Sequence, residues 1–203
     1  SNFKYSKKIS EDKNANTWIE NRLNKILQEI ENYFASFKIS QALICIYKFF
    51  WDDFCSFYLE IIKSKEISED TFFFVKDIFE RILKILHPFI PFVSEEIWQK
   101  LYCKEKIDSI SIQPWPTYTK IDEKIEDFGK NFIEFSTKIR NFKNENKIQL
   151  KSSSKIFFEN EKPKWYLFFE NSINKLLNLE IITEKKSSDL FEKIQIGSII
   201  ISI

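Results

Sequence analysis

The segment LHPFIPFVSEEIW, Leu86 to Trp98, decides how the chain must fold, because it places two prolines three residues apart inside a helical pattern. A proline lacks a backbone N–H and pushes the preceding residue out of the α region, so Pro88 ends one helix and Pro91 prevents its continuation. Ser94, followed by two glutamates, is typical of an N-cap and predicts that a short helix begins there. The segment therefore predicts a corner between two helices. The apolar side chains expected to hold this corner to the core are Phe89, Ile90 and Phe92.

Helical periodicity extends on both sides of the corner. Apolar residues recur at spacings of three and four over about 15–35, 40–63 and 121–142, which predicts three long amphipathic helices. Ser68, followed by two acids, predicts the start of a further helix that runs up to the corner. In the helix over about 40–63, the residues predicted to face the core are Leu43, Ile46, Phe50, Phe54, Phe57 and Ile61.

Composition favours the same architecture. The 203 residues include only two glycines and five prolines, too few for the tight turns of a sandwich of many short strands. After Lys147 the pattern changes to β-branched runs on either side of one more helix, about 164–178. We therefore predict a mainly α fold, in which a helical bundle over 1–147 is followed by a small α/β unit over 148–203.

Charge and cysteine usage exclude several classes of protein. A formal net charge of +1 excludes attachment to nucleic acid by bulk charge, so such binding would need local patches or aromatic contacts. Three scattered cysteines, Cys45, Cys55 and Cys103, are typical of reduced thiols in the cytosol, and no metal site is expected from them with the single histidine. No membrane-spanning run or signal peptide is present in the sequence.

Catalytic motifs are not apparent. Isolated glycines exclude a phosphate-binding glycine loop, and we interpret His87 as a structural residue at a helix end. Neighbouring acids on a helix point about 100° apart, so Asp53 is expected to pair with a base such as Arg81 rather than to act with Asp52. An independent hydrolytic enzyme would need an acid or cysteine gathered around His87. We predict no catalytic residue in this chain.

Three segments resemble successive signatures of the anticodon-binding domain of valyl-tRNA synthetases. They are FFWDDFCSFYLEIIK (Phe49 to Lys63), LHPFIPFVSEEIWQKL (Leu86 to Leu101) and SISIQPWP (Ser109 to Pro116). TWIENRLNKIL (Thr17 to Leu27) resembles the helix that opens that domain, and IRNFKNENKI (Ile139 to Ile148) resembles the segment that follows it. The resemblance is dense up to Pro116 and thin after Ser154.

The resemblance implies a role in binding the anticodon arm of valine tRNA. Ile112 and Gln113 match the position where the family presents a hydrophobic and a polar residue to anticodon bases, although that polar residue is often acidic. Aromatic side chains can stack on unstacked loop bases and lysines can contact phosphates. The residues predicted to contact RNA are Phe49, Trp51, Ile112, Gln113, Trp115, Lys38, Lys48, Lys138, Arg140 and Lys143.

Each of these residues also has an ordinary structural interpretation. Phe49 can equally be a core residue, the tryptophans pack more often than they contact RNA, and each lysine alone is more often simply solvated. As a different class of function, the chain could be a helical protein–protein interaction module that binds no RNA. An exposed apolar groove beside Phe49 would favour that module, whereas lysines mixed with exposed aromatics would favour RNA.

The resemblance also implies what lies elsewhere in the polypeptide. One histidine and no methionine exclude the usual activation motifs of class I synthetases, so the fragment is expected to need no cofactor, while the parent enzyme uses ATP and Mg. The expected partners are valine tRNA and the upstream catalytic and editing domains of the same polypeptide. We expect a cytoplasmic monomer.

Overall fold

The structure, a computed structural model, describes residues 13–63, 68–102, 108–150, 152–158 and 161–182, and the backbone of two strands at 193–196 and 199–202. None of the helices within these ranges is both long and apolar enough to cross a membrane. The described elements are α1 (Lys13–Ala35), α2 (Ile39–Lys48), a π-helical segment (Phe49–Tyr58), α3 (Leu59–Ile62), α4 (Glu69–Leu86), α5 (Pro91–Leu101), a 3₁₀ turn (Ile110–Ile112), α6 (Glu123–Glu145), β1 (Ser154–Phe158), α7 (Lys164–Leu177), β2 (Leu179–Ile181), β3 (Lys193–Ile196) and β4 (Ile199–Ser202).

The described chain packs as two compact units. The first is Ile19–Ile121, and the second combines residues 13–18 with 122–202, so the division falls within α1. The first unit is helical, and the second holds α6, α7 and the strands. The mainly α class with a small α/β unit is confirmed. The domain boundary at 147/148 stays a prediction.

The corner is built as two helices, but the second helix begins earlier than predicted. Ser68 caps α4 as expected, because its hydroxyl oxygen accepts a hydrogen bond from the Thr71 N–H at 3.2 Å. The start predicted for the next helix at Ser94 is wrong, since α5 begins at Pro91. A proline at the first helical position loses no hydrogen bond, because that N–H has no partner within the helix.

The predicted packing of the corner is partly wrong for the same reason. Phe89 is half-buried and stacks on Phe34, with ring centroids 6.4 Å apart. Phe92 is 89% exposed and Ile90 is 42% exposed, so neither is held in the core. Because the helix starts at Pro91, the side chain of Phe92 leaves from its first turn toward solvent. An exposed phenylalanine therefore marks this corner.

The π-helical segment changes which residues of the second long helix are buried. A π-helix closes hydrogen bonds over five residues rather than four, and helical stretches of this kind are rare and often lie at functional sites. The predicted stripe places Leu43 and Phe50 in the core, but Leu43 is 39% exposed and Phe50 is only half-buried. Phe49 is fully buried instead; it follows Ala42 and Ile46 at ordinary helical spacings of four and three, and the wider turn affects only the residues after it. The residues of this helix and α3 that are buried are Ala42, Ile46, Phe49, Asp53, Phe54, Phe57, Tyr58, Ile61 and Ile62.

The second unit packs aromatic faces of α6 and α7 together. Phe132 stacks on Phe169 with centroids 4.4 Å apart, and Phe135 contacts Trp165 at 5.5 Å. The four described strands form a sheet in the order β2-β1-β4-β3. β1 and β2 are parallel and joined through α7, whereas β4 is antiparallel to both of its neighbours. The strand, helix and strand predicted after residue 154 are present.

Gly129 of α6 is required by the close approach of Trp18. A Cβ atom at this position would lie 2.6 Å from Trp18 Cδ1, closer than real side chains allow. Trp18 itself is 1% exposed and its ring lies edge-on to Phe132 and Phe169, so it has no free space to move into. Gly129 is therefore needed for packing, because a side chain at this position would collide with Trp18.

We expect Gly129→Ala to destabilise the protein by about 1–3 kcal/mol, the usual cost of overpacking a core, although alanine is the better helix former. Urea unfolding followed by circular dichroism measures the change. In a Trp18→Ala background, which lacks the clashing indole, Gly129→Ala should cost less than in the unaltered chain. A stabilising effect of the single substitution would contradict the predicted clash.

Candidate nucleic-acid interface

The segment 108–116, here called the strap, crosses the first unit after α5 and presents one isoleucine outward. The alternating sequence predicts extended backbone, but Ile110–Ile112 forms a 3₁₀ turn. Ile110 is 3% exposed and packs against Leu83 and Trp98, whereas Ile112 is 73% exposed. In an extended chain these two side chains would share one face. The turn separates them, so that one anchors the strap while the other faces solvent.

The carboxylate of Glu95 holds the strap on α5. It accepts hydrogen bonds from Ser109 Oγ at 2.8 Å, from the Ile110 N–H at 3.2 Å and from Gln99 Nε2 at 2.6 Å. The Gln99 hydrogen bond is the largest cause that lowers the pKa of Glu95, and the bonds from Ser109 and Ile110 lower it further. The ionised carboxylate therefore fixes the first half of the strap.

His87 joins the corner to the strap through two serines. Its Nδ1 lies 2.8 Å from Ser94 Oγ and its Nε2 lies 3.0 Å from Ser111 Oγ. The Ser94 hydroxyl donates its proton to the Ile90 carbonyl at 2.8 Å, so it accepts from His87 Nδ1. In the neutral imidazole Nε2 is then an acceptor, and the Ser111 hydroxyl donates to it. The structural role predicted for His87 agrees with this geometry.

Gln113 is oriented by Asp108 at the start of the strap. Its Nε2 donates to the Asp108 carboxylate and, at 3.5 Å, lies at the limit of a contact with the Ser109 carbonyl. Both partners can only accept, which assigns the amide nitrogen to this side. The amide oxygen of Gln113 is left to accept hydrogen bonds from a ligand. The sequence pattern did not identify Asp108 as the residue that sets this direction.

Trp115 is partly packed and partly exposed. Its ring centroid is 5.9 Å from that of Phe34, and 37% of the residue is exposed. One face is thus used within the first unit while part of the ring can reach a ligand. Its contact with RNA stays a prediction.

Of the two aromatic candidates on the second long helix, only Trp51 is accessible. Phe49 is fully buried, so its ring has no face on which a base could stack, and its predicted contact with RNA is wrong for this structure. Trp51 is 55% exposed and lies parallel to Tyr47, which is 58% exposed, with 3° between the rings. Tyr47 is not among the residues predicted from the sequence to contact RNA. Its spacing of four residues from Trp51 is the signal that places the two rings side by side on a helix.

Asp53 secures the π-helical segment to α1. It is 6% exposed, and its Oδ2 accepts from Arg22 Nε at 2.7 Å. The expected partner Arg81 instead bonds Asn24 Oδ1 at 3.1 Å and Glu20 Oε1 at 3.4 Å. The expected pairing is therefore wrong in its partner, although Asp53 does carry an ion pair.

The basic candidates differ in accessibility. Lys38 and Lys48 of the first unit are exposed and free to approach a phosphate in this structure. In the second unit, Lys138 pairs with Glu134 at 2.8 Å, and Arg140 is half-buried. The phosphate contacts of these four residues stay predictions.

Lys143 cannot contact RNA in this structure. It is fully buried, and its ammonium donates to the carbonyls of Leu177 at 2.7 Å, Ser152 at 2.9 Å and Leu150 at 3.2 Å. An ammonium has three N–H groups, so all of them are used. Burial lowers its pKa. The predicted phosphate contact is wrong, because this lysine instead satisfies the end of α7 and the loop before β1.

The described thiols and His87 do not form a hydrolytic arrangement. Burial, with the neighbouring Glu29 that accepts its hydrogen bond, raises the pKa of Cys45 to about 12, which disfavours a nucleophilic thiolate. The group that orients His87 Nδ1 is the Ser94 hydroxyl and not a carboxylate. Cys103 lies outside the described residues. That the chain has no catalytic activity stays a prediction.

Comparison with known families agrees with this geometry. A family model described as the anticodon-binding domain of tRNA ligase matches residues 16–158, which covers the corner, the strap and the π-helical segment. The chain belongs to this family of anticodon-binding domains.

Relatives within the family are valine–tRNA ligases. The protein from Christiangramia forsetii is 33% identical over 74% of this chain and 18% of its own length. That from Phocaeicola vulgatus is 39% identical over 49% of this chain and 12% of its own length. That from Thermotoga maritima is 36% identical over 65% of this chain and 15% of its own length. The chain thus spans less than a fifth of these proteins, and the resemblance to valyl-tRNA synthetases is confirmed.

We expect Lys143→Met to lower the free energy of unfolding by roughly 3 kcal/mol, because three buried carbonyls lose their donor. Lys130→Met, on an exposed face of the same helix, is the matched control and should change stability by less than about 0.5 kcal/mol. Urea unfolding of both variants gives the difference. Equal stability of the two variants would show that water or another donor replaces the ammonium.

Proposed function

We propose that this chain recognises the anticodon arm of valine tRNA as the anticodon-binding domain of a valine–tRNA ligase. Membership of the anticodon-binding family and likeness to valine–tRNA ligases support the proposal. The observation that carries it is the strap, where Ile112 is presented to solvent beside a Gln113 whose amide is already oriented.

The side-chain amide of Gln113 is already oriented and can form a hydrogen bond with the edge of a base. The bond from Gln113 Nε2 to Asp108 directs its donor inward, so the side chain meets a ligand as an acceptor. Exocyclic amino groups of bases are donors that match such an acceptor. Ile112 adds an apolar contact next to it. The pair therefore distinguishes base edges by hydrogen-bond direction as well as by shape.

A second element of the same unit supports binding of single-stranded RNA. Tyr47 and Trp51 form an exposed stacked pair, and Lys48 is exposed between them in sequence. Aromatics with neighbouring cations are typical of surfaces that bind unpaired nucleotides through stacking and phosphate contacts. This mixture is the pattern that favours RNA over a purely apolar protein contact.

Within the whole ligase, the chemistry of the reaction belongs to other parts of the polypeptide. We propose that upstream catalytic and editing domains, with ATP and Mg, attach valine at the acceptor end while this domain, without a cofactor, holds the anticodon arm. The protein would act in the cytoplasm as a monomer.

One observation favours the alternative, a helical protein–protein interaction module. An apolar groove of about 350 Å³ runs along the first unit and is lined by Phe54, Leu59, Phe72, Val75, Phe79 and Tyr102 among others. Exposed apolar grooves are typical of surfaces that bind partner chains. The binding measurements below separate the two functions, since such a module would not discriminate between RNAs.

The decisive experiment is binding of the chain to valine tRNA and to the same tRNA with exchanged anticodon bases, over a series of salt concentrations. We expect tighter binding to the natural anticodon. Gln113→Ala should weaken that binding about tenfold, which is ~1.4 kcal/mol, by removing the oriented acceptor. Gln149→Ala removes an exposed glutamine outside the strap and should change nothing.

If the unaltered chain binds both tRNAs equally, the binding comes from phosphate contacts that do not depend on the anticodon bases. That result would overturn base recognition. Loss of binding in Gln149→Ala as well as in Gln113→Ala would show that the effect is not specific to the strap.

The salt series tests the phosphate contacts separately. If Lys48 contacts a phosphate, Lys48→Gln should reduce the slope of log affinity against log salt by about 0.7, the value for one contact with a single strand. The ratio of affinities for natural and exchanged anticodons should stay the same. Lys130→Gln, on an exposed face of α6, is the control that should leave the slope unchanged. An unchanged slope in Lys48→Gln would exclude this contact.

A further inference from the structure

A second groove, of about 350 Å³, lies where the first turns of α5 meet the strap. It is distinct from the position of Ile112 and Gln113, which are not among the residues that line it. The side chains that line the groove include Phe92, Glu95, Glu96, Gln99, Ser109 and Ser111.

The hydrogen bonds around this groove leave acceptors to a ligand. Gln99 Nε2 donates to Glu95 Oε1 at 2.6 Å and to the Asp108 carbonyl at 2.9 Å, so its amide oxygen remains as an acceptor. When His87 is neutral, the Ser111 hydroxyl donates its proton to His87 Nε2, so the lone pairs of its oxygen can accept from a ligand. Glu96 is 66% exposed; its Oε1 accepts from Lys100 Nζ at 2.6 Å, and its Oε2 remains as an acceptor. The donors of the lining residues thus point into the protein.

The excess of hydrogen-bond acceptors over donors in the groove indicates which kind of ligand can bind there. Two carboxylates disfavour a phosphate or another anion in the groove. A neutral planar ring with an amino group is matched, because its N–H groups can donate to acceptors among the amide oxygen, the hydroxyl and the carboxylate. Adenine, cytosine and guanine carry such amino groups, whereas uracil does not.

Phe92 supplies an apolar face beside these acceptors. It is 89% exposed, although the sequence pattern predicts it in the core. A phenyl ring in water gains by covering its face, and stacking with a base is a common way to do so in RNA-binding proteins. The exposure follows from the start of α5 at Pro91, so the ring is held there by the helix and not by a loose loop.

We propose that this groove is a second base-binding subsite, in which an amino-bearing base of an RNA loop stacks on Phe92 and donates hydrogen bonds to acceptors among Gln99, Ser111 and Glu96. The subsite rests on the proposed function, since it takes a nucleotide of the same RNA that the strap reads. It extends recognition beyond Ile112 and Gln113 to a further unpaired nucleotide.

The test uses the anticodon stem–loop of valine tRNA with the fluorescent base 2-aminopurine at one loop position at a time. Stacking changes the fluorescence of this base. We expect one position to respond to the unaltered chain, to lose that response with Phe92→Ala, and to keep it with Gln113→Ala. Phe92→Ala should also weaken binding of the unlabelled loop roughly tenfold. Because Phe92 is exposed, the variant should fold normally, which circular dichroism checks.

Two controls sharpen the assignment. Phe73→Ala removes another exposed phenylalanine, on α4 and away from the groove, and should leave the response unchanged. Replacing the natural base at the responding position with purine, which lacks an amino group, should weaken binding several-fold in the unaltered chain. The same replacement should have little effect in Phe92→Ala, because the subsite is then already lost.

The outcomes separate this subsite from the proposed function. If the loop binds and Gln113→Ala weakens it, but no position depends on Phe92, the subsite is absent and the Phe92 face fits a protein partner better. If the unaltered chain does not bind the loop even at low salt, RNA recognition and the subsite are both overturned.

Discussion

The carboxylate of Glu95 is the group on which the binding face of the first unit depends. It accepts three hydrogen bonds, two of them from the strap, and these hold Ser109 and Ile110 against α5. With Ile110 buried, the 3₁₀ turn directs Ile112 outward and brings Gln113 to Asp108. This ionised side chain, together with the packing of Ile110 and the contacts of Asp108 and His87, gives the segment a defined hydrogen-bond direction. Loops carry binding residues well when a rigid scaffold orients them in this way.

The π-helical segment is a second constraint, and its effect is on which side chains are exposed. At its start Phe49 is buried, whereas Trp51 lies in solvent beside Tyr47. The ion pair between Asp53 and Arg22 holds the segment against α1 from the buried side. Local helical geometry, and not composition alone, therefore decides which aromatics can meet a ligand.

Much of the fold could be predicted because its signals are local. Apolar spacing, the Ser68 cap and the paired prolines identify the helices and the corner, and β-branched runs identify the strands after residue 154. The predictions for Phe92, Phe49 and Lys143 failed because each depends on contacts distant in sequence or on the residue at which a helix begins. Lys143 illustrates this: its charge suggested solvent, but carbonyls of Leu150, Ser152 and Leu177 complete its hydrogen bonding.

The sequence by itself determined the class of the protein, since its motifs at the corner, the second helix and the strap suffice to show the anticodon-binding family. It also determined where Ile112 and Gln113 fall in the chain. Only the tertiary structure decided which atoms those residues offer, because the direction of an amide or a hydroxyl depends on the partner that takes its proton. Asp108 sets that direction for Gln113, and His87 sets it for Ser111. Neither relation follows from spacing, since spacing specifies which residues can meet and not which of them donates.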